Sequence, residues 1–269
     1  MKFPIALQLY SVRDDMAADF EGTLKKVKAL GYDGVEFAGL YGHTAAEVKK
    51  MCQELGLNPI SAHVPFVDMM ANPNLLETYA EIGCEFVVIP YLTEEYRPGA
   101  EKFQEVIDGA RMLGEKAKAL GMQLAYHNHD FEFVKLDGEY ALDILYKEVP
   151  ADLLQPQIDT CWVNVGGENP AEYIRKYAGR IEILHLKDFA GQKSENMYAL
   201  IGIDDDKKKE ASGEFEFRPV GMGVQNFPAI LDAAEQSGIR WVVVEQDNPS
   251  MGKTPLECAE ASIQYLKTL

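Results

Sequence analysis

Residues 124–132 read Leu-Ala-Tyr-His-Asn-His-Asp-Phe-Glu, a short apolar run that ends in two of the protein's five histidines. Successive side chains of a β-strand point to opposite faces of the sheet. If this run is a strand, His127 and His129 therefore share one face, while Tyr126 and Asn128 share the other. The stretch thus predicts two imidazoles on one face at the end of a strand.

A glycine recurs between a helical pattern and the next apolar run. The six glycines in this position are Gly31, Gly56, Gly83, Gly121, Gly179 and Gly238. A glycine just after a helix adopts the left-handed conformation that other residues take only with strain. Each of these glycines is followed within a few residues by a candidate strand. The chain is therefore expected to alternate helices and strands.

The alternation gives eight strands and eight helices. The predicted strands are 5–10, 34–37, 59–63, 86–90, 123–127, 155–159, 181–186 and 241–245. The predicted helices are 20–30, 44–55, 74–82, 100–120, 140–148, 170–177, 227–237 and 255–267. Thr44, Asn169 and Thr254 stand where helix N-caps belong, each three residues before a glutamate. Alternating strands and helices imply parallel pairing, and eight units predict one (β/α)8 TIM barrel domain over residues 1–269.

An open doubly wound sheet is the alternative fold. It would carry a glycine-rich phosphate turn after the first strand, and residues 8–11 contain no glycine. One connection is long, a loop insertion around residues 189–226 that includes the charged run 204–210. We expect the charged run to be a solvated loop, although a loop after the seventh strand opens onto the active face and could form a lid or a subunit contact.

Composition excludes several classes of protein. The formal net charge of -17 repels phosphate backbones, so nucleic acid is a poor partner. The four cysteines are scattered singly, which argues against a disulfide framework or a zinc knuckle. No apolar run approaches the roughly 18 residues of a membrane span, and the first residues lack the pattern of a signal peptide. We expect a cytoplasmic protein, and a homo-oligomer is possible.

Barrel enzymes build their sites from the carboxyl ends of the strands. Titratable groups stand at or just beyond these ends at Glu36, His63, His127, His129, Asp159, His185, Lys187 and Glu245. Asp159, His185 and Glu245 belong to the sixth, seventh and eighth strands, which are neighbours if the barrel closes. Two carboxylates and an imidazole suit Mn²⁺, Mg²⁺, Co²⁺ or Zn²⁺. His127 on the fifth strand stands at the depth of a fourth ligand.

These motifs resemble those of the xylose isomerase-like sugar isomerases and epimerases, a barrel group that also includes inosose dehydratases and endonuclease IV. The resemblance spans essentially the whole chain. It is carried by residues 8–11, 34–36, 126–133, 159–160, 185–188, 219–223 and 245–247. It implies that Asp159, His185 and Glu245 are metal ligands. The ketose epimerases of the group have a glutamate on strand five that is both ligand and base, whereas this chain has His127, which leaves His127, His129 or Glu132 for that role.

The resemblance to endonuclease IV fails at one ligand. That enzyme needs a histidine three residues beyond the strand-six aspartate, and Trp162 stands there. Together with the acidic charge, this excludes a DNA repair role.

The combined pattern predicts a metal-dependent sugar isomerase or epimerase that acts on a keto-sugar through an enediolate. We assign Glu245 as ligand and possible base, and His127 or His129 as the opposing acid or base. Lys187 is expected to donate a hydrogen bond to a substrate oxygen. Glu36, His63 and Trp162 are expected to contact the sugar, although Glu36 and His63 could instead form a structural pair, and Trp162 could pack a helix.

Two alternatives remain open. Expulsion of a β-leaving group would make the protein a lyase or dehydratase acting on a keto-inositol or 3-keto-glycoside, since an imidazolium can serve as the general acid. A barrel that only binds a sugar, or serves as one subunit of a larger enzyme, is the second. The lack of a basic cluster favours a sugar or polyol without phosphate.

Overall fold

The computed structural model of the 269-residue chain describes residues 2–193, 197–198 and 215–269. Eight parallel strands close into a barrel in which the last strand pairs with the first, Ile5 lying opposite Val242. The barrel strands are β1 (Ile5–Gln8), β2 (Gly34–Phe37), β3 (Asn58–His63), β4 (Phe86–Ile89), β5 (Gln123–His127), β6 (Gln155–Asp159), β7 (Ile183–Leu186) and β8 (Trp241–Val244). The prediction of a closed (β/α)8 barrel is confirmed.

Eleven α-helices lie within the described residues. They are α1 (Arg13–Ala18), α2 (Phe20–Leu30), α3 (Ala45–Leu55), α4 (Phe66–Ala71), α5 (Leu75–Ile82), α6 (Phe103–Ala119), α7 (Ala141–Glu148), α8 (Thr160–Val165), α9 (Pro170–Lys176), α10 (Phe227–Ser237) and α11 (Pro255–Leu266). All eight predicted helices are present. No helix of the described chain is long and apolar enough to cross a membrane.

Local sequence signals set most helix ends. Thr44 and Thr254 each form a capping box with the glutamate three residues later, and the side chain of Asn169 accepts hydrogen bonds from two backbone N–H groups of α9. The six glycines that follow predicted helices all have positive φ, for example +98° at Gly31 and +84° at Gly238. The caps therefore act where the residue pattern places them.

Several short elements were not predicted. Helices α1, α4 and α8 have six residues each, too few for a periodic pattern to be distinctive. The first strand ends at Gln8 rather than at residue 10, because the Gln8 side chain accepts the N–H of Tyr10 and begins a 3-10 turn. In the predicted insertion, Asp188–Ala190 pairs antiparallel with Glu216–Arg218. The charged run 204–210 lies outside the described residues.

The interior of the barrel changes from apolar to polar along the strands. An apolar layer fills its amino-terminal part with Ala6, Ile60, Phe86, Val88, Ala125, Ile183, Trp241 and Val243. Two residues beyond three members of this layer come His127, His185 and Glu245. Because strand side chains repeat with a period of two, these polar groups face the same interior, nearer the carboxyl ends. The fold therefore buries titratable groups at one end of a packed core.

Candidate metal centre and active site

Four side chains from consecutive barrel strands converge at the carboxyl end. Each of His127, Asp159, His185 and Glu245 offers a nitrogen or carboxylate oxygen, and these four atoms lie within 4.8 Å of one another. All four residues are buried. The structure thus brings together the four residues that the sequence predicts as metal ligands.

Three of the four side chains are oriented by a bond made at their other polar atom. His185 Nε2 lies 2.7 Å from Glu36 Oε1, and His127 Nδ1 lies 3.3 Å from the carbonyl oxygen of Pro90. Asp159 Oδ1 accepts the backbone N–H of Trp162 at 3.0 Å. His185 Nδ1, His127 Nε2 and Asp159 Oδ2 are consequently left to point at a common centre. Such outer partners fix the tautomer and direction of metal-binding side chains.

The spacing of these atoms fits one divalent ion. His127 Nε2 lies 3.3 Å from Asp159 Oδ2 and 3.5 Å from Glu245 Oε2, while His185 Nδ1 lies 3.2 Å from the same Glu245 oxygen. Ligands about 2.1 Å from one tetrahedral ion are about 3.4 Å apart. The donor set, two imidazoles and two carboxylates, is also one that binds divalent transition ions.

Glu36 lies behind the four convergent atoms, and other side chains occupy both of its carboxylate oxygens. It is fully buried. Its carboxylate is contacted by five side chains, namely Gln8, Ser61, His63, Gln157 and His185. Burial opposes ionisation of Glu36, but His63 and His185 together hold its pKa well below the usual range. The expected sugar contact is therefore not what the geometry supports, whereas the expected pairing of Glu36 with His63 is present.

Lys187 stands beside the four convergent groups as a buried cation. Its Nζ lies 2.6 Å from Asp247 Oδ2, 2.9 Å from Glu245 Oε2 and 3.8 Å from Asp159 Oδ2. Burial disfavours the charge, but these carboxylates raise the pKa of Lys187 well above its usual value. Asp247 was not among the predicted site residues. Its place two positions beyond Glu245, in a motif already singled out, was the available signal.

A cavity of about 470 Å³ opens above the convergent groups. Six of its described lining residues have an acidic, basic or imidazole side chain, namely His63, His127, His129, Lys187, Glu245 and Asp247. The other lining residues in the described part of the chain are uncharged and include Tyr10, Phe66, Tyr91 and Tyr96. The volume falls within the about 300–1,000 Å³ typical of small-molecule sites.

His129 lines this cavity and packs against aromatic rings. Its ring stacks on Phe131, with centroids 5.4 Å apart, and lies 5.1 Å from the ring of Trp162. His129 Nδ1 is buried and has no hydrogen-bond partner in the described part of the chain. Burial, and then the nearby His127, lowers the pKa of His129 well below its usual value. His129 is therefore a neutral imidazole at the cavity surface.

Trp162 and Glu132 support the site from behind. Trp162 is fully buried and does not line the cavity, so the expected wall for a sugar ring is instead packing for His129. Glu132 accepts hydrogen bonds from the Tyr126 hydroxyl at 2.6 Å and from the His129 backbone N–H at 2.8 Å. Tyr126 points away from the barrel interior, and its hydroxyl holds Glu132 on the same outer side of the strand. Glu132 therefore shapes the loop that carries His129.

Comparisons with known proteins agree with this fold. A family profile described as "xylose isomerase-like TIM barrel" matches residues 24–269 of this chain. An inosose dehydratase of Clostridium beijerinckii is 25% identical over 92% of this chain and 89% of its own length. An inosose dehydratase of Geobacillus kaustophilus is 22% identical over 91% and 86%.

Solved structures show the same architecture. A sugar phosphate isomerase/epimerase from Parabacteroides distasonis superposes with a TM-score of 0.76 at 24% identity, covering 98% of this chain and 93% of that one. The IOLI protein, whose crystal structure contains a bound zinc atom, has a TM-score of 0.73 at 18% identity and covers 99% and 97%. The family profile matches most of the chain, and the closed barrel with its convergent strand ends agrees with it. This chain therefore belongs to the xylose isomerase-like TIM-barrel family.

Proposed function

We propose that this protein is a divalent-metal-dependent lyase, which removes a proton next to a ketone of a sugar or cyclitol and expels the oxygen substituent on the following carbon. The observation that carries this proposal is the unequal pair of groups beside the four convergent ligands. His129 is a neutral imidazole that lines the cavity, and Lys187 is an ammonium enclosed by carboxylates. One group can take a proton and the other can give one.

The metal site would consist of His127, Asp159, His185 and Glu245, and the mixed donor set favours Mn²⁺, Co²⁺ or Zn²⁺ over Mg²⁺. When bound, the ion would stabilise negative charge on the substrate's carbonyl oxygen. His129 would take the carbon-bound proton through Nε2, because its Nδ1 is buried. Lys187 would donate a proton to the departing oxygen. The products are an unsaturated ketone and water or an alcohol, so atoms and charge balance.

The relatives named inosose dehydratase support elimination as the outcome. His127 supports it further, since the fifth strand supplies no carboxylate base. Isomerisation or epimerisation begins with the same proton removal and is the second candidate. It is favoured by Asp247, which also lines the cavity and whose pKa burial raises to about 6, so that it could act as a second proton-transferring group.

The test is incubation of the metal-loaded protein in heavy water with a keto-inositol, a 3-keto-glycoside and a ketose, followed by NMR. Elimination with loss of water or alcohol supports the lyase. Deuterium exchange that yields a rearranged or inverted sugar supports the isomerase or epimerase. No exchange with metal bound would favour a sugar-binding barrel or a missing partner subunit.

Matched variants connect the reaction to the site. His129→Gln should lower turnover by about 10²–10⁴-fold, as expected for loss of a general base. His43→Gln is the control, because His43 packs against Phe20 with ring centroids 4.6 Å apart and does not line the cavity. Asp159→Asn should weaken metal binding, measured by calorimetry, by more than the about 10–100-fold that loss of an outer partner costs. Unchanged metal affinity in this variant would contradict the assigned ligand set.

A further inference from the structure

One side of the cavity is an apolar wall that the proposed chemistry does not use. The wall is formed by Pro65, Phe66 and Val67 after β3, and by Leu92, Thr93 and Tyr96 after β4. In the barrel the strands run in the order β1-β8-β7-β6-β5-β4-β3-β2. The four convergent ligands come from β5 to β8, and the wall comes from the other half of the ring. The cavity therefore has a polar side and an apolar side.

The side chains on the apolar side are held in place by close packing. Phe66 and Tyr96 pack edge to face with ring centroids 5.5 Å apart. Behind them, Gly109 of α6 allows α4 to approach closely, because a Cβ at this position would lie 2.7 Å from the Phe66 ring and 2.9 Å from the Met70 sulfur. A packed wall of this kind is available before a ligand arrives, which reduces the ordering cost of binding.

Val67 completes the wall at the cavity mouth. It lines the cavity while 41% of its surface remains exposed. Among the described residues that line the cavity, those other than the six with an acidic, basic or imidazole side chain are uncharged. An apolar surface contributes binding free energy in proportion to the apolar area that a ligand covers.

A keto-cyclitol makes poor use of such a surface. Its ring carries an oxygen on every carbon, and hydroxyl groups buried against apolar side chains lose hydrogen bonds to water without replacement. A sugar linked through its leaving oxygen to an apolar group would place its ketone at the polar side and that group on the wall. The volume of about 470 Å³ accommodates both parts.

We infer that the wall is a subsite for the apolar aglycone of a 3-keto-glycoside. This inference rests on the proposed lyase function and names its substrate class. In the reaction, the proton on C2 is removed, the bond between C1 and the glycosidic oxygen breaks, and that oxygen takes a proton. The glycoside becomes an unsaturated keto-sugar and a free alcohol, with no oxidant or reductant consumed.

The experiment compares methyl and benzyl 3-keto-glucosides, whose leaving alcohols have closely similar acidity, so that a rate difference reports binding of the aglycone. We expect kcat/KM to be about 10–100-fold higher for the benzyl compound, as burial of a phenyl ring predicts. Val67→Asp should lower kcat/KM more for the benzyl compound than for the methyl compound and so remove most of this preference. Val134→Asp is the matched control, because Val134 is 45% exposed and does not line the cavity.

The outcomes separate the two proposals. Elimination at equal rates from both glycosides, or from a keto-inositol alone, would overturn the subsite while the lyase function stands. If no compound is eliminated, binding of unreactive methyl and benzyl glucosides is compared by calorimetry. Tighter benzyl binding that Val67→Asp abolishes would keep the subsite after the lyase function has failed, and equal binding would overturn both.

Discussion

Glu132 is a buried carboxyl in the loop after β5, and its pKa should make the stability of the protein depend on pH. Desolvation raises its pKa to about 7, against the lowering effect of the hydrogen bond from Tyr126 and of backbone N–H groups. In Glu132→Gln the amide oxygen can accept the His129 N–H, and the amide nitrogen can donate to the Tyr126 oxygen. The variant therefore mimics the protonated glutamic acid, and we expect the fold to be kept.

The sign of the pH effect follows from proton binding in the two states. Between pH 4.5 and 7 the unfolded chain has released the Glu132 proton while the folded chain still holds it, so stability falls as pH rises. Above pH 7 the Glu132 carboxyl is ionised in both states. The loss of unfolding free energy then reaches about 3 kcal/mol, because the pKa rises by about 2.5 from 4.5 to about 7 and each pKa unit corresponds to about 1.36 kcal/mol. The unfolding free energy of Glu132→Gln minus that of the parent should therefore rise by about 2 kcal/mol from pH 5.5 to pH 8.

The assay is urea unfolding of parent and variant at pH 5.5 and pH 8, followed by circular dichroism. Glu168→Gln is the control, because Glu168 also accepts a tyrosine hydroxyl, that of Tyr140 at 2.6 Å, but is only half-buried. The difference in unfolding free energy between parent and Glu132→Gln should change between the two pH values by more than the difference for the control does. A difference that is the same at both pH values would refute the buried, proton-holding carboxyl. Loss of turnover with unchanged stability would instead indicate a direct role in proton transfer.

Two further predictions concern the buried cation and a backbone close approach. Lys187→Met should lower the unfolding free energy of the metal-free protein at neutral pH by about 3–5 kcal/mol, because buried carboxylates lose their cation. This loss should shrink in acid, where the carboxylates take up protons. An equal loss at all pH values, measured by urea unfolding, would contradict this explanation. Gly221→Ala should cost about 2–4 kcal/mol, since Gly221 has φ of +89° and an added Cβ would lie 2.4 Å from the Tyr265 ring. Gly238→Ala, at φ +84° with no atom within 4 Å, should cost only about 1–2 kcal/mol, and equal costs would remove the packing explanation.

The residue pattern alone was enough to predict the barrel and to group the four side chains that converge at its carboxyl end. Glycine caps, capping boxes and apolar runs act within a few residues of chain, so each strand end was recognisable locally. Once eight units imply a closed ring, the polar residues that end consecutive strands must come together. Asp159, His185, Glu245 and His127 could therefore be grouped before their distances were known.

Which side chains face the cavity, and which support it from behind, becomes clear only in the folded chain. Glu36 is enclosed by partners as distant in sequence as His185, 149 residues away. Trp162 packs behind His129, although both residues follow polar strand ends. Asp247 reaches the cavity because Lys187 holds it there. The period-two pattern gives the direction of a side chain, but its exposure depends on groups that other strands and loops bring to it, and those contacts form only when the barrel closes.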